Sequence, residues 1–228
     1  MTLEVTFIDT KGDTPDELAP RPAKDLLPEW WRTLSASWGE AETAADRRRL
    51  QTVKRCVPML DMLTSGYLLV TPTDVQVSER DDMLWYEWAS GEQSIDFHPV
   101  AQAVGHPSSG EHQAIPKWIH PWAIRTPSGY STLFITPPHR PVPFRIFEAV
   151  VDTDTYNDVV AFPFMVTDGF RGLIPAGTPM VLALLFRRDG FTHRITTDDE
   201  RTRRTRSLLF SSFVGGYRNR FWSRKRYD

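Results

Sequence analysis

The chain has 228 residues, 40% of them hydrophobic and 25% charged, with a net charge of −2. That length allows one large domain or a domain with an extension, and the charge balance excludes a protein that binds nucleic acid over its whole surface. A single cysteine, Cys56, excludes an internal disulfide framework and a CxxC metal site, and it fits a reducing cytoplasm. No apolar run of about 18 residues predicts a membrane span, and the acidic opening does not read as a signal peptide.

Eighteen prolines and thirteen glycines favour turns and strands over long helices. In chain order, "TLEVTFI" (2–8) alternates as a strand does, and a Pro/Asp/Gly loop follows. "AKDLLPEWWRTLSAS" (23–37) predicts a short helix with Pro28 near its start, and "AETAADRRRLQTVKRCVPML" predicts a second, ending near Pro58. "GYLLVTPTDVQVSE" and "DDMLWYEWAS" read as the two strands of a hairpin, and strand-like segments continue to about Arg188. The aromatics Trp85, Tyr86, Trp88, Phe97, Trp118, Trp122 and Tyr130 read as core on alternating strands, with one or two lining a pocket. The expected organisation is an N-terminal strand and helical segment (1–58), a β domain (59–190) and a basic, aromatic C-terminal arm (191–228).

The segment "EAVVDTDTYNDVVAFPFMV" (148–166) sets Asp152, Asp154 and Asp158 around Tyr156, between two apolar runs. The simplest reading is a tight hairpin whose turn is capped by Asx-type hydrogen bonds. The sharper one makes Asp152 a base or metal ligand in a cleft between subunits. Upstream, Pro127-Ser128-Gly129 has good turn chemistry.

These pieces, "TPSGYSTLFITPPHR", "AVVDTDTYNDV" and "PAGTPMVLALLF", come in the order found in the dUTPase and dCTP deaminase superfamily, and Gly177 lies 25 residues after Asp152. The stretch from Lys117 to Phe186 therefore resembles that superfamily. The resemblance implies a mainly β, β-clip fold, a homotrimer with sites between subunits, and a small, nucleotide-like ligand with Mg²⁺. It implies that Asp152 activates the attacking water and that Tyr156 contacts the sugar, with Tyr130, His139 and Arg140 near the ligand. The chain departs from the family pattern at the phosphates. "PPHR" lacks the serine and displaces the arginine, "MVLAL" lacks Arg and Gln, and "FVGGYRNR" only echoes the glycine-rich clamp. Triphosphate hydrolysis needs several aligned donors or cations, so the expectation is binding with catalysis lost or altered. The chain also resembles a family of phage and bacterial proteins that shares "PEWW", "TPSGYS", "VVDTDTY" and "IPAGTP", which implies no particular activity.

Two further constellations supply rival readings. Five of the six histidines are His98, His106, His112, His120 and His139. Asp96 and His98, two apart on a strand, would project to one face, and His106, His112 or His120 would complete a non-haem iron-type site. The order is the reverse of the usual H-x-D, and three of these histidines precede proline, as loop corners do. The other constellation lies after Arg187, where twelve Arg/Lys face five Asp/Glu from Arg187 onward. Arg218, Arg220, Arg224, Lys225 and Arg226 would contact phosphate or nucleic acid, with Tyr217, Phe221 and Trp222 available for stacking. This last reading makes the protein a non-catalytic assembly or interaction protein.

Overall fold

The computed structural model describes residues 3–39, 43, 45, 50–89, 91, 93–103, 105, 114–211 and 215–228. Its contacts divide the chain into two compact units. One comprises Met1–Ala23 and Gly66–Arg188, the other Lys24–Ser65 and Asp189–Asp228.

The first unit is mainly β, as the sequence predicts, and its strands pair antiparallel in four sheets. The largest contains β2 (Arg21–Pro22), β3 (Tyr67–Val70), β9 (Tyr130–Ile135), β11 (Ala149–Val151) and β14 (Pro179–Arg187), in the order β11-β9-β14-β3-β2. Strand β14 is central and its first half is buried, so "MVLA" reads as a continuous apolar run rather than an alternation. A second sheet has the order β10-β12-β7-β6, from β6 (Ile95–His98), β7 (Ile115–Trp118), β10 (Phe144–Ile146) and β12 (Phe162–Val166). A third pairs β4 (Val75–Arg80) with β5 (Met83–Trp88) and β13 (Gly172–Ile174), and β1 (Thr6–Asp9) pairs with β8 (Trp122–Arg125). No sheet closes into a barrel among the described residues. The core joins Trp118, Phe134, Phe144, Phe162 and Phe164, with Trp118 stacked on Phe164 at 4.5 Å between centroids.

The expected hairpin forms over β4 and β5. Its two-residue turn places Asp81 and Asp82 at positive φ (50° and 58°), as a type I′ connection requires. The run ahead of it breaks, however. Strand β3 leaves at Thr71, whose carbonyl accepts from the Gly177 amide at 2.9 Å, and β4 belongs to another sheet. The start of β3 also needs a glycine. Gly66 has φ +80°, and a Cβ there would lie 2.4 Å from the Ala183 carbonyl oxygen of β14.

The acidic segment is not a hairpin, contrary to expectation. Strand β11 pairs with β9 while β12 pairs with β7 and β10, so residues between them carry the chain from one sheet to another. The apolar runs on either side were a correct signal for strands. They carry no information about which partners those strands choose.

The second unit holds the helices α1 (Glu29–Thr33), α2 (Val57–Thr64), α3 (Glu200–Ser211) and α4 (Gly216–Arg220). Pro28 caps α1, which is shorter than the predicted 23–37 helix. Pro58 stands in the first turn of α2 rather than at its end. A proline lacks the N–H that a first helical turn does not use, so it starts a helix more readily than it stops one. The early residues of the predicted 41–60 helix lie largely outside the described residues. Trp30 and Trp31 meet edge to face at 5.6 Å, and the Lys54 ammonium sits 5.2 Å from the Trp31 ring. No helix among the described residues is long and apolar enough to cross a membrane.

Candidate functional site

The turn after β11 forms a one-turn loop in which the Asp152 carbonyl accepts from the amides of Thr155 (3.0 Å) and Tyr156 (2.8 Å). The two aspartates then part company. Asp154 points inward, its side chain 5% exposed, while the side chain of Asp152 is 61% exposed. Asp154 accepts from the Gly129 amide at 2.8 Å and from both terminal nitrogens of Arg188, with Nη1 at 2.8 Å. Gly129 can present that amide because it sits at φ +83° in the turn closed by Tyr130 N–H to the Pro127 carbonyl. The guanidinium and then the amide hold the Asp154 carboxyl down at about 2.

Asp152 accepts from the Ser131 hydroxyl at 2.6 Å and more loosely from Arg188 at 3.3 Å. Arg188 also donates to the Tyr130 carbonyl and the Ser131 hydroxyl, both at 3.0 Å. Beneath the turn the buried hydroxyls of Thr126, Thr153 and Thr132 form a chain with links of 2.9 and 2.8 Å. One arginine at the end of β14 thus ties the turn before β9 to the turn after β11. Both acids thus face hydrogen-bond donors. Asp158 caps the amide of Val159 at 2.7 Å, and the Tyr156 hydroxyl donates to the Val159 carbonyl at 3.2 Å.

His139 and Arg140 do not join this cluster as ligand contacts. His139 turns the chain at φ +58°. Arg140 is buried and donates from Nη2 to the Ala23 carbonyl at 3.1 Å, and burial lowers its guanidinium to about 10. The side chain that the resemblance places near phosphates instead braces the backbone entry to the β-rich unit.

The histidine constellation does not assemble among the described residues, where no three His, Cys, Asp or Glu side chains are placed to hold a metal. His106 and His112 lie outside the described residues. Asp96 pairs with Lys117 at 2.8 Å, directly across from it on β7, and His98 lies opposite Ile115. His120 is buried, with both ring nitrogens engaged. Its Nε2–H donates to the Val160 carbonyl at 2.8 Å, and its Nδ1 accepts the Trp122 amide at 3.2 Å. The ring stacks on Phe162 at 5.0 Å, and burial pushes its pKa down to about 4. His120 is therefore a structural imidazole that satisfies two backbone groups at the bend before Pro121.

Two cavities have contrasting linings. An apolar one of about 390 Å³ in the β-rich unit is walled by Met83, Leu84, Trp85, Tyr86, Trp88 and Phe97. The other, of about 600 Å³, lies within the helical unit. Its walls carry Lys24, Arg218, Arg224, Lys225 and Arg226 against two carboxylates, Asp61 and Asp228, with the rings of Trp222 and Tyr227 beside them.

Neither protein-family models, nor curated proteins, nor solved structures match this chain.

The basic cavity follows from local sequence logic. Helix α2 presents Asp61 to the incoming C-terminal segment. That carboxylate accepts the Trp222 indole N–H at 3.0 and 3.1 Å and the Lys225 ammonium at 2.7 Å. Trp222 also donates its amide to the carbonyl of Tyr217 in α4, so the helix leads straight into the anchored residue. With Trp222 and Lys225 fixed, Arg224 and Arg226 alternate around Lys225 at the cavity wall. Arg218, Arg224 and Arg226 form no ion pair among the described residues. Arg220, also expected in this group, is exposed on the last turn of α4 and does not line the cavity. Composition located the arm. It could not locate Lys24 or Asp61, which lie far from the arm in the chain and share no motif with it.

Proposed function

We propose that this protein is a non-catalytic binding protein whose helical unit takes the phosphates of single-stranded nucleic acid. The observation that carries the reading is the cavity lining, five cations against two carboxylates within about 600 Å³. A nucleotide-sized ligand needs a hollow of roughly 300–1,000 Å³. A positive groove flanked by aromatic faces is the usual arrangement for single strands, and Tyr217 and Phe221 are exposed on the same segment as Trp222. The test is fluorescence anisotropy of a labelled oligothymidylate between about 50 and 200 mM salt. Binding should weaken with salt, and the double variant R224A/R226A should flatten the log–log slope by roughly 1.4, two phosphate contacts at about 0.7 each. No binding at the low salt, or a slope unmoved by the double variant, would overturn the reading.

A second reading is favoured by one other observation. The three segments that resemble the dUTPase superfamily supply the neighbouring strands β11, β9 and β14, and Gly129, Ser131, Asp152 and Asp154 of the first two form one hydrogen-bonded cluster with Arg188, two residues beyond the third. On this reading the β-rich unit is a divergent β-clip, and a homotrimer forms a ligand pocket at Asp152 and Tyr156. Ser131 and Arg188 engage Asp152, so it would bind rather than activate water. Light scattering and thermal unfolding with dUTP, dCTP and Mg²⁺ test it. A monomer whose unfolding temperature ignores both nucleotides would remove it.

A further inference from the structure

The two carboxylates of the basic cavity are not equivalent. Asp61 is 16% exposed at the side chain and holds two donors, the Trp222 indole and the Lys225 ammonium, in place, so it is part of the wall. Asp228 is 82% exposed at the side chain and reaches into the cavity to pair with Lys24, itself 38% exposed. That pair, followed by the charges of Arg226 and Arg224, holds the Asp228 carboxyl below the usual aspartate range. The cavity thus already contains an anion supplied by the chain.

We propose that the Asp228 carboxylate occupies a subsite for a terminal phosphate, formed by Lys24, Arg224 and Arg226, and that a phosphomonoester or pyrophosphate group displaces it. The inference rests on the reading that this cavity takes phosphate-bearing ligands, and it specifies which phosphate. A backbone phosphodiester carries one negative charge, as the Asp228 side chain does, and gains little by displacing it from Lys24, so Arg224 and Arg226 meet it with Asp228 in place. A terminal phosphate carries about 1.5 to 2 charges at neutral pH and three acceptor oxygens, so it outcompetes one carboxylate against three cations. The Lys24–Asp228 pair that the exchange breaks is exposed and of modest strength. Asp228 then acts as a selectivity filter. It excludes weak monoanions from the subsite and yields to chain ends, nucleotides or pyrophosphate.

The experiment titrates the full chain with inorganic pyrophosphate by calorimetry at low salt, comparing wild type, D228N, D228E and K24A. Removing the competing charge in D228N should tighten binding about 3- to 5-fold, the scale of one exposed ion pair. D228E keeps the carboxylate and should behave as wild type, while K24A should weaken binding by a similar factor. In the wild type, a 5′-phosphorylated oligonucleotide should bind more tightly than the same oligonucleotide with a 5′-hydroxyl. A D228N protein that binds pyrophosphate no more tightly than wild type overturns the proposal, as does indifference to K24A. Oligonucleotide binding without pyrophosphate binding removes the subsite and spares the broader reading. Pyrophosphate binding without oligonucleotide binding does the reverse.

Discussion

Around Asp154 each charge meets its partner inside the β-rich unit, whereas around Arg224 five cations share two carboxylates. The acidic turn looked reactive in the sequence because it concentrates like charges. In the fold those charges are divided among separate donors: Arg188 and the Gly129 amide for Asp154, Ser131 for Asp152, the Val159 amide for Asp158. The basic segment was legible in the sequence only as an excess of charge. In the fold Asp61 anchors its middle and leaves Arg218, Arg224 and Arg226 with no carboxylate of their own among the described residues. Charge that is compensated internally serves structure, and the charge left in excess around the hollow is what the proposed ligand reading rests on.

The largest expected effect tests how completely the β-rich unit is internally satisfied. His120 stays neutral there, with a pKa lowered to about 4 by burial, against about 6.5 in an unfolded chain. The unfolded chain takes up a proton that the folded unit refuses. Stability is therefore full above about pH 6.5 and falls as the pH drops toward 4, by roughly 3 kcal/mol across that window. Urea unfolding at pH 7 and pH 4.5 measures the loss. A His120→Phe variant should be less stable at pH 7, since the Val160 carbonyl loses its donor, but should lack the acid slope.

A separate and lower window belongs to the Asp154–Arg188 pair. The arginine and the Gly129 amide lower the Asp154 carboxyl to about 2, so this stabilisation is present above about pH 4 and is lost as the pH falls through 2. Thermal unfolding of wild type between pH 5 and pH 2 should show the decline, and R188A should flatten it. If R188A leaves the acid limb unchanged, Arg188 is not the partner that sets it, and the contrast between the two regions weakens.

Why some of this was legible in the sequence and some was not follows from the range of each signal. Alternation and turn chemistry act over a few residues, so the β4–β5 hairpin, the Pro127–Gly129 turn and the buried β14 could be read directly. Strand pairing acts over the whole chain, so the sheet change between β11 and β12 could not. The same limit governs the sites. Asp152 and Asp154 announced themselves by clustering in sequence, yet the residue that joins them, Arg188, stands 34 positions from Asp154. The arm was legible as composition. Its counterions were not, because Asp61 and Lys225 are 164 positions apart and Lys24 and Asp228 are 204 apart.

The smallest expected effect separates the two aspartates and bears on the resemblance to the dUTPases. Asp152 is exposed, and its contacts, Ser131 at 2.6 Å and Arg188 at 3.3 Å, both survive in weaker form with an amide. Asp152→Asn should therefore change stability by no more than about 0.5 kcal/mol, as exposed substitutions generally do. Asp154→Asn should cost clearly more, because it replaces an almost fully covered carboxylate that faces a guanidinium and an amide N–H. Unfolding both variants in urea at pH 7 gives the ranking, and the same preparations assayed with dUTP and Mg²⁺ give the function. A wild-type protein that turns over dUTP and an Asp152→Asn protein that does not would make Asp152 a base despite its donors. Equal, negligible turnover in both, with only Asp154→Asn destabilised, would assign the acidic turn wholly to structure. Ligand chemistry would then rest with the basic cavity, where the excess charge lies.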